Sequence, residues 1–417
     1  MLRSKKKKML IKLMLLEQID EETAIIEHVM NNKNHNIHDM FLKRKIEGFY
    51  NILIEKHLFK DETKFREFFR LSYDQFNYVL NIIEDDIKSD PYNRVKQPIT
   101  PAEKLSVTLR YMATGESFRS LAFAFRISQS YITRIIQLVL KSLSSRLTGK
   151  LLKPPLPEDL IRIAGEYWDR WNFPNCVGAI DGKHIRIFCP GKSGSLFFNY
   201  KDYFSIVLLA IVDANCKFIY VDIGSYGKEG DSGIFGKSSL NQLIKQKEYF
   251  PPEKKLPNSE ISLPFVHVGD EAFRLETHMM RPYTRGEARN DNKKIIFNYR
   301  LSRARRTTEN SFGLLSQVFR VFYTPISLKT ETTDQLVLSA CCLHNLLRDR
   351  YLENVPNYYY NYDPNEPQPL KNMMSLAKSG GYANFEGFLV RDEFTNFFNS
   401  EQGAVSWQDS RTQETDI

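Results

Sequence analysis

A chain of 417 residues has length enough for two or three domains, each with a sizeable core. Its composition, 42% hydrophobic, 26% charged and 13% aromatic, excludes a chain disordered over most of its length. The formal net charge of +8 suits a polyanionic partner without specifying one, and no apolar run is long enough to span a bilayer, which argues against a membrane partner.

The N-terminal Arg3-Ser4-Lys5-Lys6-Lys7-Lys8 and the apolar run after it imitate a signal peptide, but Lys12 interrupts the run and no small-residue cleavage site follows. The basic cluster reads equally as a nuclear-import signal or as a solvated terminus. Residues 1–95 read as a helical N-terminal region, with helical apolar spacing over 41–58 and 65–83. Prolines between Asp90 and Pro101 mark a linker.

Residues 96–153 hold three helical patterns: 105–114, closed by Gly115; 118–125, with Ser117 as N-cap; and a longer one after Arg126-Ile127-Ser128, with Ile132, Ile135, Ile136, Val139 and Leu140 inward. Helix, short helix, tight turn, longer helix is the pattern of a helix-turn-helix region, although a plain helical bundle shares it. Its polar side carries Gln129, Ser130, Thr133 and Arg134 as candidate DNA contacts.

After Pro154-Pro155-Leu156-Pro157 the texture changes, and residues 154–352 read as an α/β domain. Strands are expected over 176–187, 204–212 and 217–223, the last two joined by the turn Asp213-Ala214-Asn215, as an antiparallel meander. A helix around 232–246, a strand over 261–268, a long helix over 301–319 and a helix over 340–350 follow. Residues 353–417 form a turn-rich C-terminal extension, with its last dozen residues expected to be disordered. The five cysteines fit neither a metal-ligand spacing nor an even disulfide framework, and read as reduced core thiols of an intracellular protein.

Three acids stand out. Asp181 lies inside the apolar strand Gly178-Ala179-Ile180-Asp181-Gly182, where a carboxylate is costly unless paired or metal-bound. Asp270 follows the apolar run ending in Val268-Gly269, at a strand's C-terminal end, and Glu309 lies within the long helix. First strand, strand after the helix, following helix: an RNase H-like fold presents its acids from these three places. Clustered carboxylates can hold two hard cations for phosphodiester chemistry. Plainer readings exist for neighbouring acids. Asp213 belongs to a turn, Asp222 caps or faces solvent, and Asp231 reads first as a helix N-cap and second as an ancillary acid. Glu309 could merely pair with Arg305 or Arg306. His184, three residues from Asp181 along a strand, faces the opposite side, and a packing or hydrogen-bonding role is expected for it and for His267; His344 reads as structural.

The segments Gly178-Ala179-Ile180-Asp181-Gly182-Lys183-His184-Ile185, Gly269-Asp270-Glu271-Ala272-Phe273 and the arginine-rich run from Asn298 to Gly313, which ends in Glu309-Asn310-Ser311-Phe312-Gly313, resemble the PIF/Harbinger transposases and the nucleases derived from them. Lesser echoes are Leu343-His344-Asn345 and Val405-Ser406-Trp407-Gln408, so the resemblance runs from about residue 100 to 408. It implies an RNase H-like mixed-sheet core, Asp181, Asp270 and Glu309 as the acid triad, and Mg²⁺ or Mn²⁺, with two ions expected. Asp231 matches a further recurrent acid and keeps the choice of second ligand open. Related transposases often carry a lysine two turns after the glutamate, where this chain has Ser316. Arg300, Arg303, Arg305 and Arg306 are expected to contact phosphates beside the metals.

The resulting expectation is a nuclear, metal-dependent endonuclease acting on double-stranded DNA. The resemblance adds a Myb/SANT-like DNA-binding partner, and oligomeric state is left open. The rival expectation is a catalytically silent DNA-binding or chromatin-associated protein.

Overall fold

The computed structural model describes residues 38–89, 98–226, 231–245, 249–352, 372–375 and 383–408. The N-terminal basic cluster, most of the proline-marked linker and the tyrosine-rich start of the tail lie outside the described residues. The chain divides into two units: residues 1–148 with 187–197 and 318–340, and residues 149–186 with 198–317 and 341–417.

The first unit is helical. The stretch 41–58, expected as one helix, is instead short turns that include Arg44–Glu47 and a π-helical turn, Tyr50–Glu55. The break is at Gly48, whose backbone is extended at φ −75°, ψ 143°. Beyond it come α1 (Glu62–Phe69), α2 (Tyr73–Ile87), α3 (Pro101–Thr114), α4 (Phe118–Phe125) and α5 (Gln129–Leu151). Side-chain caps set their starts. Asp61, Ser72, Thr100 and Ser117 each accept a first-turn amide, satisfying donors that the helix leaves open. Gly115 ends α3 at φ +70°, and a Cβ there would lie 3.3 Å from the Arg320 carbonyl oxygen, so both conformation and space call for glycine. Phe65, Phe69 and Phe76 pack as a buried aromatic cluster, and the inward positions expected on α5, from Ile132 to Leu140, are buried.

The second unit is a mixed α/β layer. Helix α6 (Pro157–Trp171) leads into β1 (Cys176–Arg186), β2 (Ser205–Val212) and β3 (Phe218–Tyr226), the expected antiparallel meander. The helix expected around 232–246 is two, α7 (Asp231–Lys237) and α8 (Ser239–Ile244). Ser238 stands at the break, its hydroxyl donating to the Phe235 carbonyl at 2.7 Å. The strand expected over 261–268 is likewise divided at Pro264, which has no amide to give a sheet: Ser262–Leu263 pairs with Lys254–Lys255 in a separate two-stranded sheet, and Val266–Val268 is β4. Then come β5 (Met279–Met280), α9 (Asn292–Val318), α10 (Thr330–Leu352), whose first half is counted in the first unit, β6 (Met373–Ser375) and α11 (Phe385–Phe398). Helix α9 begins nine residues before the expected 301, since Asp291 accepts the Lys293 and Lys294 amides and so caps it.

The strand order is β3-β2-β1-β4-β5, with β6 also pairing β1. Pairing is antiparallel from β3 to β1 and parallel from β1 through β4 to β5. One core joins Ile180, Leu209 and Ile211 of the strands to Leu160 of α6, Ile234 and Phe235 of α7, and Phe273. Helix α9 turns the stripe Leu301, Ala304, Thr308, Ser311, Phe312 and Leu315 inward. Its Phe312 ring meets Phe218 of β3 at 5.9 Å, and its Ser311 hydroxyl donates to the Cys216 carbonyl at 3.2 Å. No helix of the described residues is long and apolar enough to cross a membrane.

Candidate active site

Alternation along β1 sends Ala179, Asp181, Lys183 and Ile185 to one face of the sheet and Ile180 and His184 to the other. Asp181 is only 4% exposed. Its charge is met from its own strand: the Lys183 ammonium is 2.9 Å from Asp181 Oδ2. That ammonium also donates to the Ser375 hydroxyl of β6 at 2.8 Å and lies 5.5 Å above the Phe312 ring of α9. The Asp181 face is therefore the one that receives α9.

In the parallel pairing of β1 with β4, Ala179 is the partner of Val268. Two residues further along are Asp181, still inside β1, and Asp270, two residues past the end of β4, so the register brings these acids to the same level of the sheet from adjacent strands. Gly269 makes the approach possible, because a Cβ there would lie 3.1 Å from the Ile180 side chain and 2.7 Å from the Phe273 ring. Asp270 is buried, and its Oδ1 accepts the Ala272 amide at 3.0 Å, which holds the carboxylate against the turn.

Glu309 stands on α9 beside the buried Thr308, one turn before Phe312, and its side chain is exposed. Contact thus runs from Asp181 through Lys183 to Phe312, and three residues along the helix to Glu309. Among the described residues no three acid, histidine or cysteine side chains gather closely enough to hold a metal ion. What fits a divalent cation here is the donor chemistry: two buried carboxylates, one inside β1 and one just past the end of the adjacent β4, the first of them already neutralised by an ammonium. Asp231 opens α7, but its side chain lies outside what the structure describes.

The arginine run divides. Arg300, expected at a phosphate, is fully buried. Its guanidinium donates to the Asn172 and Gly403 carbonyls and to Gln408 Oε1, and lies 4.4 Å over the Phe398 ring. Burial, with Arg303 nearby, pulls it down to about 10. Arg300 is a structural tether, not a phosphate contact, because all its donors face inward. Arg303 and Arg305 are half-buried and Arg306 is exposed.

On α5, Arg134 is exposed and Gln129 half-exposed, while Ser130 is nearly buried with its hydroxyl 3.4 Å from that of Ser128. The histidines take structural roles. His184 Nδ1 meets the Ser205 hydroxyl at 3.0 Å, His344 Nε2 meets the Cys216 carbonyl at 2.7 Å, and His267 is enclosed by Tyr249 and Phe250. Burial holds His184 down at about 4 and the other two at about 3, so all three are neutral near pH 7. Asp213 is the turn residue expected, accepting the Asn215 and Lys217 amides, both at 2.8 Å.

Sequence reasoning passed over Lys183. Its signal was available, since a residue two along a strand from a buried acid shares that acid's face. Ser375 gave no signal, because nothing local ties it to β1 across 192 residues.

Residues 180–345 match the family model described as DDE superfamily endonuclease. The chain is 26% identical to Protein ALP1-like of Arabidopsis thaliana, over 69% of this chain and 71% of that protein. It is 23% identical to Protein Antagonist of Like Heterochromatin Protein 1 of Arabidopsis thaliana, over 71% and 76%. It is 24% identical to HARBI1 of Rattus norvegicus, named as a candidate nuclease, over 65% and 74%. No solved structure matches. Residues 180–345, the stretch that holds Asp181, Asp270 and Glu309, are thus similar to DDE superfamily endonuclease domains, and the chain as a whole is similar to ALP1-like and HARBI1 along most of their own length.

Proposed function

We propose that this chain is a divalent-metal-dependent DNA endonuclease with an RNase H-like core, in which Asp181, Asp270 and Glu309 hold Mg²⁺ or Mn²⁺. The observation that supports the reading is the parallel register of β1 and β4, whose last pair, Ala179 and Val268, each stands two residues before a buried aspartate. Divalent cations bound there supply an activated water and a stabilised departing 3′ oxygen. The aspartates are the fixed donors, since Asp270 is held by the Ala272 amide and Asp181 by a central strand. Glu309 is the adjustable one, exposed on its helix. Lys183 neutralises the Asp181 charge and has the Ser375 hydroxyl as a second partner, so its ammonium could remain beside a cation held by Asp181 and would there be available to a substrate phosphate.

Exposed Arg306 and half-buried Arg303 and Arg305 position the DNA backbone, and α3 to α5 act as a helix-turn-helix whose Gln129 and Arg134 reach duplex DNA. The site of action is the nucleus, with a Myb/SANT-like protein as DNA-binding partner. Plasmid nicking by the full chain in Mg²⁺ tests the reading. The parent nicks and Asp181→Ala does not; a parent without activity, or an equally active variant, overturns it.

A second reading is a catalytically silent DNA-binding or chromatin-associated protein. Two observations favour it: one relative is named as an antagonist of a heterochromatin-like protein, and the Asp181 charge is already satisfied by Lys183. It predicts DNA binding by parent and Asp181→Ala alike, with nicking by neither.

A further inference from the structure

Tyr299, Arg303 and Arg306 follow one another at helical spacing on one face of α9, and Trp407 closes on them to leave a hollow of about 470 Å³. That volume lies within the range of about 300–1,000 Å³ usual for sites that take small organic groups. The Arg303 guanidinium lies 4.3 Å over the Trp407 ring, and Tyr299 meets the same indole edge-on at 5.9 Å. Neither Arg303 nor Arg306 has a carboxylate partner among the described residues; Arg303 Nη2 donates to the neutral Asn172 Oδ1 at 3.4 Å, and Arg303 Nε is buried with no acceptor.

The hollow is built, not incidental. Next to Trp407, Gln408 is buried, accepts from Arg300 at 3.0 Å and donates to the Phe398 carbonyl at 3.1 Å. The buried arginine therefore anchors the segment that carries the tryptophan.

We infer that this hollow receives an unpaired nucleotide of the DNA strand, its base against Tyr299 and Trp407 and its phosphate on Arg303 and Arg306. The chemistry selects that class. Two uncompensated guanidiniums call for an anion with several oxygens, and two aromatic rings call for a flat, apolar-faced body joined to it. Arg306 is one turn before Glu309, about 4.5 Å along the helix axis, so a nucleotide held here neighbours the phosphate at the candidate metal site. Only the choice of DNA as the strand rests on the endonuclease reading; the pocket chemistry stands apart from it.

The test uses the full chain in EDTA, with two labelled oligonucleotides that differ only in a short single-stranded overhang, and with free dAMP. The parent binds the overhang form more tightly than the blunt form, and dAMP quenches its tryptophan fluorescence. Trp407→Ala weakens overhang binding about tenfold and leaves blunt binding unchanged, whereas Trp407→Phe keeps the overhang preference and loses the quenching. Should Trp407→Ala not fold, Arg306→Gln at an exposed position weakens overhang binding several-fold with an unchanged melting temperature. Equal binding of blunt and overhang DNA by parent and variants, with no dAMP quenching, overturns the inference. Quenching by dAMP without binding of either DNA supports the pocket and overturns the endonuclease reading instead.

Discussion

The buried aspartates of the sheet and the arginine run of α9 carry opposite charges and meet burial in opposite ways. Asp181 is enclosed with one side-chain ammonium, that of Lys183, as its counter-charge among the described residues, a partner that another cation can replace. Arg300 is enclosed among fixed acceptors from two separate parts of the chain, Asn172 and the segment from Gly403 to Gln408, which no ligand can replace. Both obey the rule that buried charge must be matched. The difference is in the kind of match: an exchangeable partner marks a site where something binds, and a set of backbone carbonyls marks a joint.

The largest effect that sharpens this contrast is expected at the joint. Arg300→Leu leaves the Asn172 and Gly403 carbonyls and Gln408 without their donor, and should cost about 3–5 kcal/mol in urea unfolding, with no recovery on adding Mg²⁺. Metal rescue of that variant would mean that Arg300 belongs to the site. At the exchangeable partner, Lys183→Met should cost about 2–3 kcal/mol in EDTA, because Asp181 is left buried and unpaired. Mg²⁺ should then raise the melting temperature of this variant more than that of the parent. An equal metal response in both would detach Lys183 from metal binding.

The neutral histidines give a smaller, graded effect. Their folded values, about 4 for His184 and about 3 for His267 and His344, lie below the unfolded value near 6.5, so the unfolded chain takes up protons first as pH falls. Each should lower stability by about 1.4 kcal/mol per pH unit below 6.5, until its folded value is reached. Asp213 and Asp334, which burial lifts to about 6, offset part of this between pH 6 and 4, since there the folded state binds the proton more tightly. Proton NMR should show none of the three histidines titrating between pH 5 and 8; a titration there would contradict their enclosure. The smallest effect is expected at the exposed end of the arginine run, where Arg306→Gln should reduce the slope of log affinity against log salt for DNA by about 1.

Much of the second unit was legible because its signals are local. Apolar β-branched runs and a good turn specify the meander, and an acid inside such a run is conspicuous at Asp181. The tertiary facts were not legible. Nothing near Arg300 announces that its acceptors come from Asn172, Gly403 and Gln408, so an arginine among arginines read as another phosphate contact. Helix boundaries slipped where a cap lay outside the apolar stripe, as at Asp291, and a strand was overextended through Pro264. Charge pattern locates a candidate site, but burial decides which of its members are free to act.

The most direct test of the central claim is Mn²⁺ binding by the full chain, followed by electron paramagnetic resonance. The parent is predicted to bind Mn²⁺, and Asp181→Asn, Asp270→Asn and Glu309→Gln are each predicted to weaken that binding by about tenfold or more. A parent that leaves Mn²⁺ free in solution, or three variants that bind it as the parent does, would contradict the account.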